Sequence, residues 1–290
     1  MPLDLLLRWL HRTLDDAGRA WLDAKRALLN DTLNDRDLYI AVGLAPRKLG
    51  KAPLALSAQD LIEAEAARPG WNPTGLRVDE AARLALLLTA AQHGEPFYTA
   101  LEQLWRTADV NEQISFYKGL PLYPDAAQVH WRATNGCRTS IDDVFEAIAH
   151  RNPYPAEHFD EVAWNQMCLK ALFVGAPLHP VVGLDTRHNR SLARMMADYA
   201  FERWAAARVV PYELWRCVGT DPDPRSVSAL KRAITEGDEL TRRAATLAAS
   251  TSQVPDAAKL IAEASDLEAE IQAGTLTWAT LADRTKGEAS

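Results

Sequence analysis

The side chains best placed to do chemistry lie between residues 159 and 203. In FDEVAWNQMCLKALFV, read at 100° per residue, apolar residues occupy every face. Trp164, Cys168 and Leu172 form one side, Ala163, Met167 and Ala171 another, with Val162, Leu169 and Phe173 between. Such a helix is expected to be central and covered, yet it carries Asn165, Gln166 and Lys170, the last two sharing a face at i,i+4 spacing. An amide and an ammonium in that position need partners. Either a ligand supplies them, with Lys170 suited to an anion, or the amides bond neighbouring backbone while the lysine reaches outward. Arg203 poses the question more sharply. It falls in the middle of the stripe Leu192, Met195, Met196 and Tyr199, and a guanidinium stays charged, so it must meet a carboxylate, a carbonyl or an anionic ligand. Asp185 and Glu202 are the expected partners if the pairing is structural, and Arg194, Asp198 and Glu202 read as a salt ladder on the opposite side. Just before that helix, GLDTRHNRS places Gly183 for a tight turn and Asp185 or Asn189 to cap the helix. Arg187 beside a helix N-terminus also suits an anion. The candidate ligand groove therefore comprises Asn165, Gln166, Lys170, Asp185, Arg187, Asn189 and Arg203.

Other chemistries have less to stand on. His150, His158, His179 and His188 fall in the same region, but none forms HExxH or an ExxH pair repeated on two helices, so no metal is expected. No glycine-rich phosphate loop follows a strand and no GxSxG elbow occurs, so no cofactor is implied and no catalytic residue is assigned. Acid–base chemistry would have to combine a carboxylate such as Glu157, Asp160 or Asp185 with a histidine such as His158 or His188. Cys137, Cys168 and Cys217 are odd in number and lack CxxC spacing, which suggests neither zinc nor a disulfide framework.

The elements that must position these residues read as helices throughout, since hairpin signals and β-branched clusters are nearly absent. Helices are expected near 3–29, 35–45, 57–67, 79–92, 96–108, 111–119, 124–136, 140–150, 159–174, 188–208 and 211–216, with more after 225. Ser57 starts one of them and Pro69-Gly70 ends it. Ser140 with Asp143 resembles a capping box, closed by Asn152-Pro153. The implied fold is all-α, a HEAT-like α-solenoid or an irregular antiparallel helical bundle. A boundary is expected at DPDPR (221–225), separating a helical domain over 1–220 from a C-terminal helical extension over 225–290. The extension reads as a capping hairpin or a self-association element, so a homo-oligomer is possible in principle. Upstream, ARPGWNPTGLRVDEAARLALLL makes a rigid turn whose Trp71 is expected to plug against the next helix and could otherwise serve as a ligand platform.

A chain of 290 residues with 48% hydrophobic and 24% charged residues can bury an ordinary globular core. Its formal charge of −7 argues against non-specific nucleic-acid binding, which needs a cationic surface. The opening MPLDLLLRWLHRTLDD is interrupted by charges and does not read as a signal peptide. No apolar run approaches the roughly 20 residues of a membrane span. The cytoplasm is the expected compartment.

Four strings are distinctive together: RPGWNP (68–73), LPLYP (120–124), RTSIDDVFEAIAHRNPYPAEHFDEVAWNQMCLKALFVGAPL (138–178) and GLDTRHNRSLARMMADYAFERWAAARVVPYELWRCVG (183–219). On these the chain resembles the EboA family, the metabolite-traffic proteins of the bacterial ebo gene cluster, over roughly residues 35–220. The resemblance implies a process, movement of a secondary-metabolite precursor from cytoplasm toward periplasm, and assigns no active-site residue. The expected function is a non-enzymatic binding or adaptor protein whose partner is a small metabolite or another protein of that cluster. The alternative is an enzyme acting on a small metabolite.

Overall fold

The computed structural model describes residues 1–219, 224–252, 257–262 and 264–288, and the chain forms two compact units, Met1–Asp160 and Glu161–Ser290. The first holds α1 (Pro2–Thr13), α2 (Asp16–Asp31), α3 (Asp35–Leu49), α4 (Ala58–Ala67), α5 (Val78–Ala90), α6 (Glu95–Thr107), α7 (Val110–Lys118), α8 (Ala126–Gly136), α9 (Asp142–Ala149) and α10 (Tyr154–His158). The second holds α11 (Glu161–Val174), α12 (Arg190–Ala205), α13 (Leu214–Val218), α14 (Pro224–Glu236), α15 (Glu239–Ser250), α16 (Ala257–Ala262), α17 (Ser265–Gln272) and α18 (Trp278–Glu288). The protein is all-α, as expected. Among the described residues the only β-type contact is an isolated bridge between Pro53 and Arg77. The boundary expected at DPDPR falls largely on residues 220–223, which lie outside the described residues; the helices before and after it, α13 and α14, both belong to the second unit.

Local signals explain the helix ends. The long opening helix expected over 3–29 is two helices, because Asp15 caps α2 by accepting from the Gly18 N–H at 2.7 Å. Ser57 and Asp60 form a reciprocal capping box on α4. The Asp60 carboxylate also accepts from Arg12 of α1 at 2.7 Å, tying the two helices together. The Ser140 box does not form. Ile141 occupies the N-cap of α9 without a side-chain cap, and its N–H bonds the Thr139 hydroxyl instead.

The centre of the first unit is α5, which packs against α1, α2, α3 and α7. Its sequence, VDEAARLALLLTA, has small and apolar residues on all sides, and all but one of its residues are buried. The charged members are buried with the rest. Arg83 is 2% exposed and donates to Asp79 and Val42 O, both at 3.2 Å. Arg77 donates to the two Asp79 oxygens at 3.1 and 3.2 Å. Lys118 of α7 contacts both Glu80 oxygens at 3.0 Å. A carboxylate at a helix N-terminus is favoured by the exposed N–H groups there, and opposite charges offset the remaining desolvation.

In the second unit, α14 packs on α12 and α15 on both α13 and α14, so the tail joins the core that the preceding helices begin. Gly219 fixes that contact: a Cβ there would stand 2.4 Å from the Ala248 carbonyl oxygen. Helix α11 is not covered on all sides. Trp164, Met167, Cys168, Ala171 and Leu172 are buried, but Val162 is 70% and Phe173 59% exposed, with Gln166 exposed between them. The all-apolar helix that is enclosed is α5.

Replacing Arg83 by Met, a side chain of similar length, should cost about 3–5 kcal/mol by leaving Asp79 short of a counter-charge. Urea unfolding followed by circular dichroism measures this; a loss near zero would mean that Arg77 alone suffices.

Candidate functional site

The sharp turn after α4 and the segment after α9 enclose a cavity of about 310 Å³, at the small end of the range for metabolite sites. The turn is Trp71–Arg77. Asn72 stabilises it by accepting the Thr74 N–H at 2.9 Å, Gly75 turns the chain at φ 84°, and the Leu76 carbonyl accepts the Leu54 N–H at 2.8 Å. Facing it is His150-Arg151-Asn152. The Asn152 amide donates to Tyr117 O at 3.1 Å and Ala147 O at 3.2 Å, and its oxygen accepts the Tyr154 N–H at 3.0 Å. These bonds hold Arg151 at φ 53°, a left-handed conformation that costs a non-glycine residue about 1 kcal/mol. The Arg151 carbonyl in turn accepts the Asn72 N–H at 3.3 Å, linking the two walls. Nearby, Arg68 joins the turn to both Pro121 O (2.8 Å) and Glu157.

Trp71 is 3% exposed and packs on Trp9 of α1, ring centroids 5.8 Å apart. It is a plug, as expected, although its ring partner is α1; it also lines the cavity. Pro73, Leu76, Ile114 and Ala147 add apolar wall, and Arg77, Glu80, Lys118, Asp143, Glu146, His150 and Arg151 add charge or polarity. Burial, and then the charges of Asp143 and Asp142, raise the Glu146 carboxyl above its ordinary value, with Arg151 opposing. The imidazole Nδ1 of His150 lies 3.6 Å from that carboxylate, in electrostatic contact but beyond good hydrogen-bonding distance.

The residues singled out from sequence lie in the second unit and do not form one constellation. Asn165 and Asn189 exchange amide hydrogen bonds at 3.1 and 2.8 Å, and Asn189 caps α12 by accepting the Leu192 N–H at 2.8 Å. The Arg187 guanidinium lies over the Trp164 ring at 5.1 Å, beside that pair. Gln166 is exposed and Lys170 half-buried. Asp185 is not the partner of Arg203: it forms a bidentate pair with Arg216 at 2.7 and 2.5 Å. Arg203 donates to Val209 O at 2.8 Å, satisfying at the frayed end of α12 the carbonyl that follows it. At 1.5 Å per residue, roughly 20 Å of helix separates Arg203 from Asn189. Of the proposed ladder, Asp198 pairs with Arg225.

Of the acid–base candidates, Glu157 and His158 come together, the His158 Nε2 lying 3.6 Å from the carboxylate, but Glu157 and His188 also have other partners. Glu157 pairs with Arg68, and His188 Nδ1 lies 2.7 Å from the backbone oxygen of Asp185. Cys217 is buried, which pushes its thiol up to about 12. Among the described residues no three His, Cys, Asp or Glu side chains converge as a metal site. The cavity was signalled by charges in an alanine- and leucine-rich helix, Asp79, Glu80 and Arg83, directly after a turn rich in proline and glycine.

A family model described as "Metabolite traffic protein EboA" matches residues 3–219, so the similarity reaches back through α2 and α1. No curated protein and no solved structure matches the chain.

The raised Glu146 value has a definite sign. A carboxyl that binds its proton more readily when folded contributes its full stability below its ordinary pKa, and loses it as pH rises through the raised value. Glu146→Gln should therefore melt higher than the parent at pH 7, with the gap closing below about pH 4. Melting curves across pH test this; a lower melting temperature at pH 7 would show that the His150 contact outweighs desolvation.

Proposed function

The chain belongs to the EboA family, and on that premise we propose that it is a non-enzymatic carrier or adaptor that holds a small metabolite in the cavity between the Trp71–Arg77 turn and the His150–Asn152 segment. The observation that carries this reading is the construction of the cavity. Two of the strings distinctive of the chain, RPGWNP and HRNPYP, meet there, and one wall includes a residue kept in a strained backbone conformation. Strain of that kind is retained where surrounding bonds over-determine it, and it clusters at ligand sites. A rigid, preformed cavity suits holding, since little ordering entropy is lost when the guest arrives.

The cations Arg77 and Lys118 are already paired with Asp79 and Glu80. Strong non-specific attraction for polyanions is thereby suppressed, and selectivity falls to the remaining groups. No helix of the described residues is long and apolar enough to cross a membrane.

A second reading has one specific support. Glu146 and His150 could exchange a proton with a bound substrate, the carboxyl being raised above its ordinary value chiefly by burial and lying beside an imidazole. Under that reading Glu146→Gln abolishes turnover of the retained molecule while leaving it bound; under the carrier reading the bound molecule is recovered unchanged from both proteins.

The principal test is native mass spectrometry of protein purified from its own host. Wild type should retain a small molecule, and Ile114→Trp, which fills the cavity from the α7 side, should lose it. An equal adduct on both proteins would sink the cavity assignment, and a retained polypeptide would favour the adaptor role.

A further inference from the structure

Once the ion pairs around the cavity are assigned, charges of both signs are left over. Arg77 is taken by Asp79, and Lys118 by Glu80. Among the described residues the exposed Arg151 guanidinium makes no hydrogen bond or ion pair, and its charge acts on Glu146. The acids of α9 on the same wall, exposed Asp143 and half-buried Glu146, form no salt bridge with a lysine or arginine among the described residues, although the Arg151 charge acts on Glu146. Asp143 and Glu146 stand three residues apart on α9 and so share a face; both line the cavity. Burial first, and then the charges of Asp143 and Asp142, press the Glu146 carboxyl toward protonation, with Arg151 opposing. His150 is the one basic group in contact with Glu146, at 3.6 Å, and carries charge only when protonated. Part of the acidity of α9 answers its own N-terminal N–H groups, and acids in a first helical turn are ordinary for that reason. Glu146 stands beyond that turn, and the helix end does not account for Arg151.

A third feature belongs to the same cavity. The Trp71 indole is almost wholly buried as a residue, but its N–H is not sealed as those of Trp9, Trp105, Trp164 and Trp215 are, and Trp71 lines the cavity. A donor left open beside a cavity can be met by a ligand acceptor. Together with Pro73, Leu76, Ile114 and Ala147, the indole gives the cavity an apolar side that a hydrocarbon or ring could cover.

We propose that the cavity recognises a zwitterion, a small molecule bearing an ammonium and a carboxylate on an apolar body, as an α-amino acid does. The carboxylate meets Arg151 and the Trp71 N–H, the ammonium sits against Asp143 and Glu146, and the apolar body lies on Pro73, Leu76 and Ile114. This rests on the carrier reading of the cavity and specifies its cargo. The volume of about 310 Å³ accommodates a molecule of amino-acid size.

Four probes of one shape separate the charges: L-phenylalanine, phenylalaninamide (ammonium only), 3-phenylpropionate (carboxylate only) and 2-phenylethanol (neither). Titration calorimetry on the full chain at pH 7 should rank L-phenylalanine tightest. Arg151→Gly is the informative variant, because glycine adopts φ 53° without strain and the fold should be as stable as the parent or more so. It should weaken L-phenylalanine and 3-phenylpropionate by about tenfold or more, leaving phenylalaninamide unchanged. Asp143→Asn should do the reverse, weakening the two amines and sparing 3-phenylpropionate. Equal binding of all four probes would overturn the zwitterion and leave the cavity as a neutral carrier site. Binding of none, alongside a host molecule that Ile114→Trp expels, would likewise overturn the zwitterion while preserving the carrier. If the host adduct is also unaffected by Ile114→Trp, both readings fail.

Discussion

Two carboxylates held away from water at the first turn of α5 govern the first unit. Asp79 and Glu80 are tolerable there only because Arg83, Arg77 and Lys118 surround them, drawn from the same helix, the preceding turn and α7. Burying ions gains little net stability compared with packing apolar groups, so the arrangement is better understood as fixing geometry. It pins the Trp71–Arg77 turn to the core at one end and α7 to α5 at the other. The cavity is the space bounded by those fixed parts together with α9. The same pairing withdraws two of its three cations from play, so a site lined with many charges presents few that are unsatisfied.

The strings that make this sequence distinctive are related through that geometry. RPGWNP supplies the turn, HRNPYP the opposing segment, and the first proline of LPLYP accepts the Arg68 guanidinium from between them. Asn152 organises one side with three hydrogen bonds, and the conformation forced on Arg151 follows from that anchoring. Proline and glycine punctuate these segments because the backbone must bend sharply twice while remaining rigid.

The helical class and most helix positions were legible because periodicity and end signals agree locally, as at Ser57 and Asn189. What was not legible was which helix is enclosed. Helices α5 and α11 both lack a polar face, and period alone cannot say which of two such helices neighbours will surround; the packing of α1, α2, α3 and α7 decides it for α5. Reading α11 as the central one drew attention to Lys170 and Arg203 and away from Asp79, Glu80 and Arg83. Partner choice was equally out of reach. Asp185 meets Arg216, thirty-one residues away, and no local pattern specifies that pairing. The Glu146–His150 contact, by contrast, is an i,i+4 pair on paper, and its importance emerges only when the turn at Trp71 is placed opposite it.

The close approach at Gly219 bears on where this protein can be cut. Family similarity ends at that residue, yet the glycine touches α15, and Leu214, Trp215, Cys217 and Val218 are buried in the unit that the tail completes. A fragment trimmed to the homologous stretch would carry a greasy, uncovered end and be prone to aggregate. The limit of kinship and the limit of autonomous folding are thus different places on the chain, and any shortened version has to respect the second.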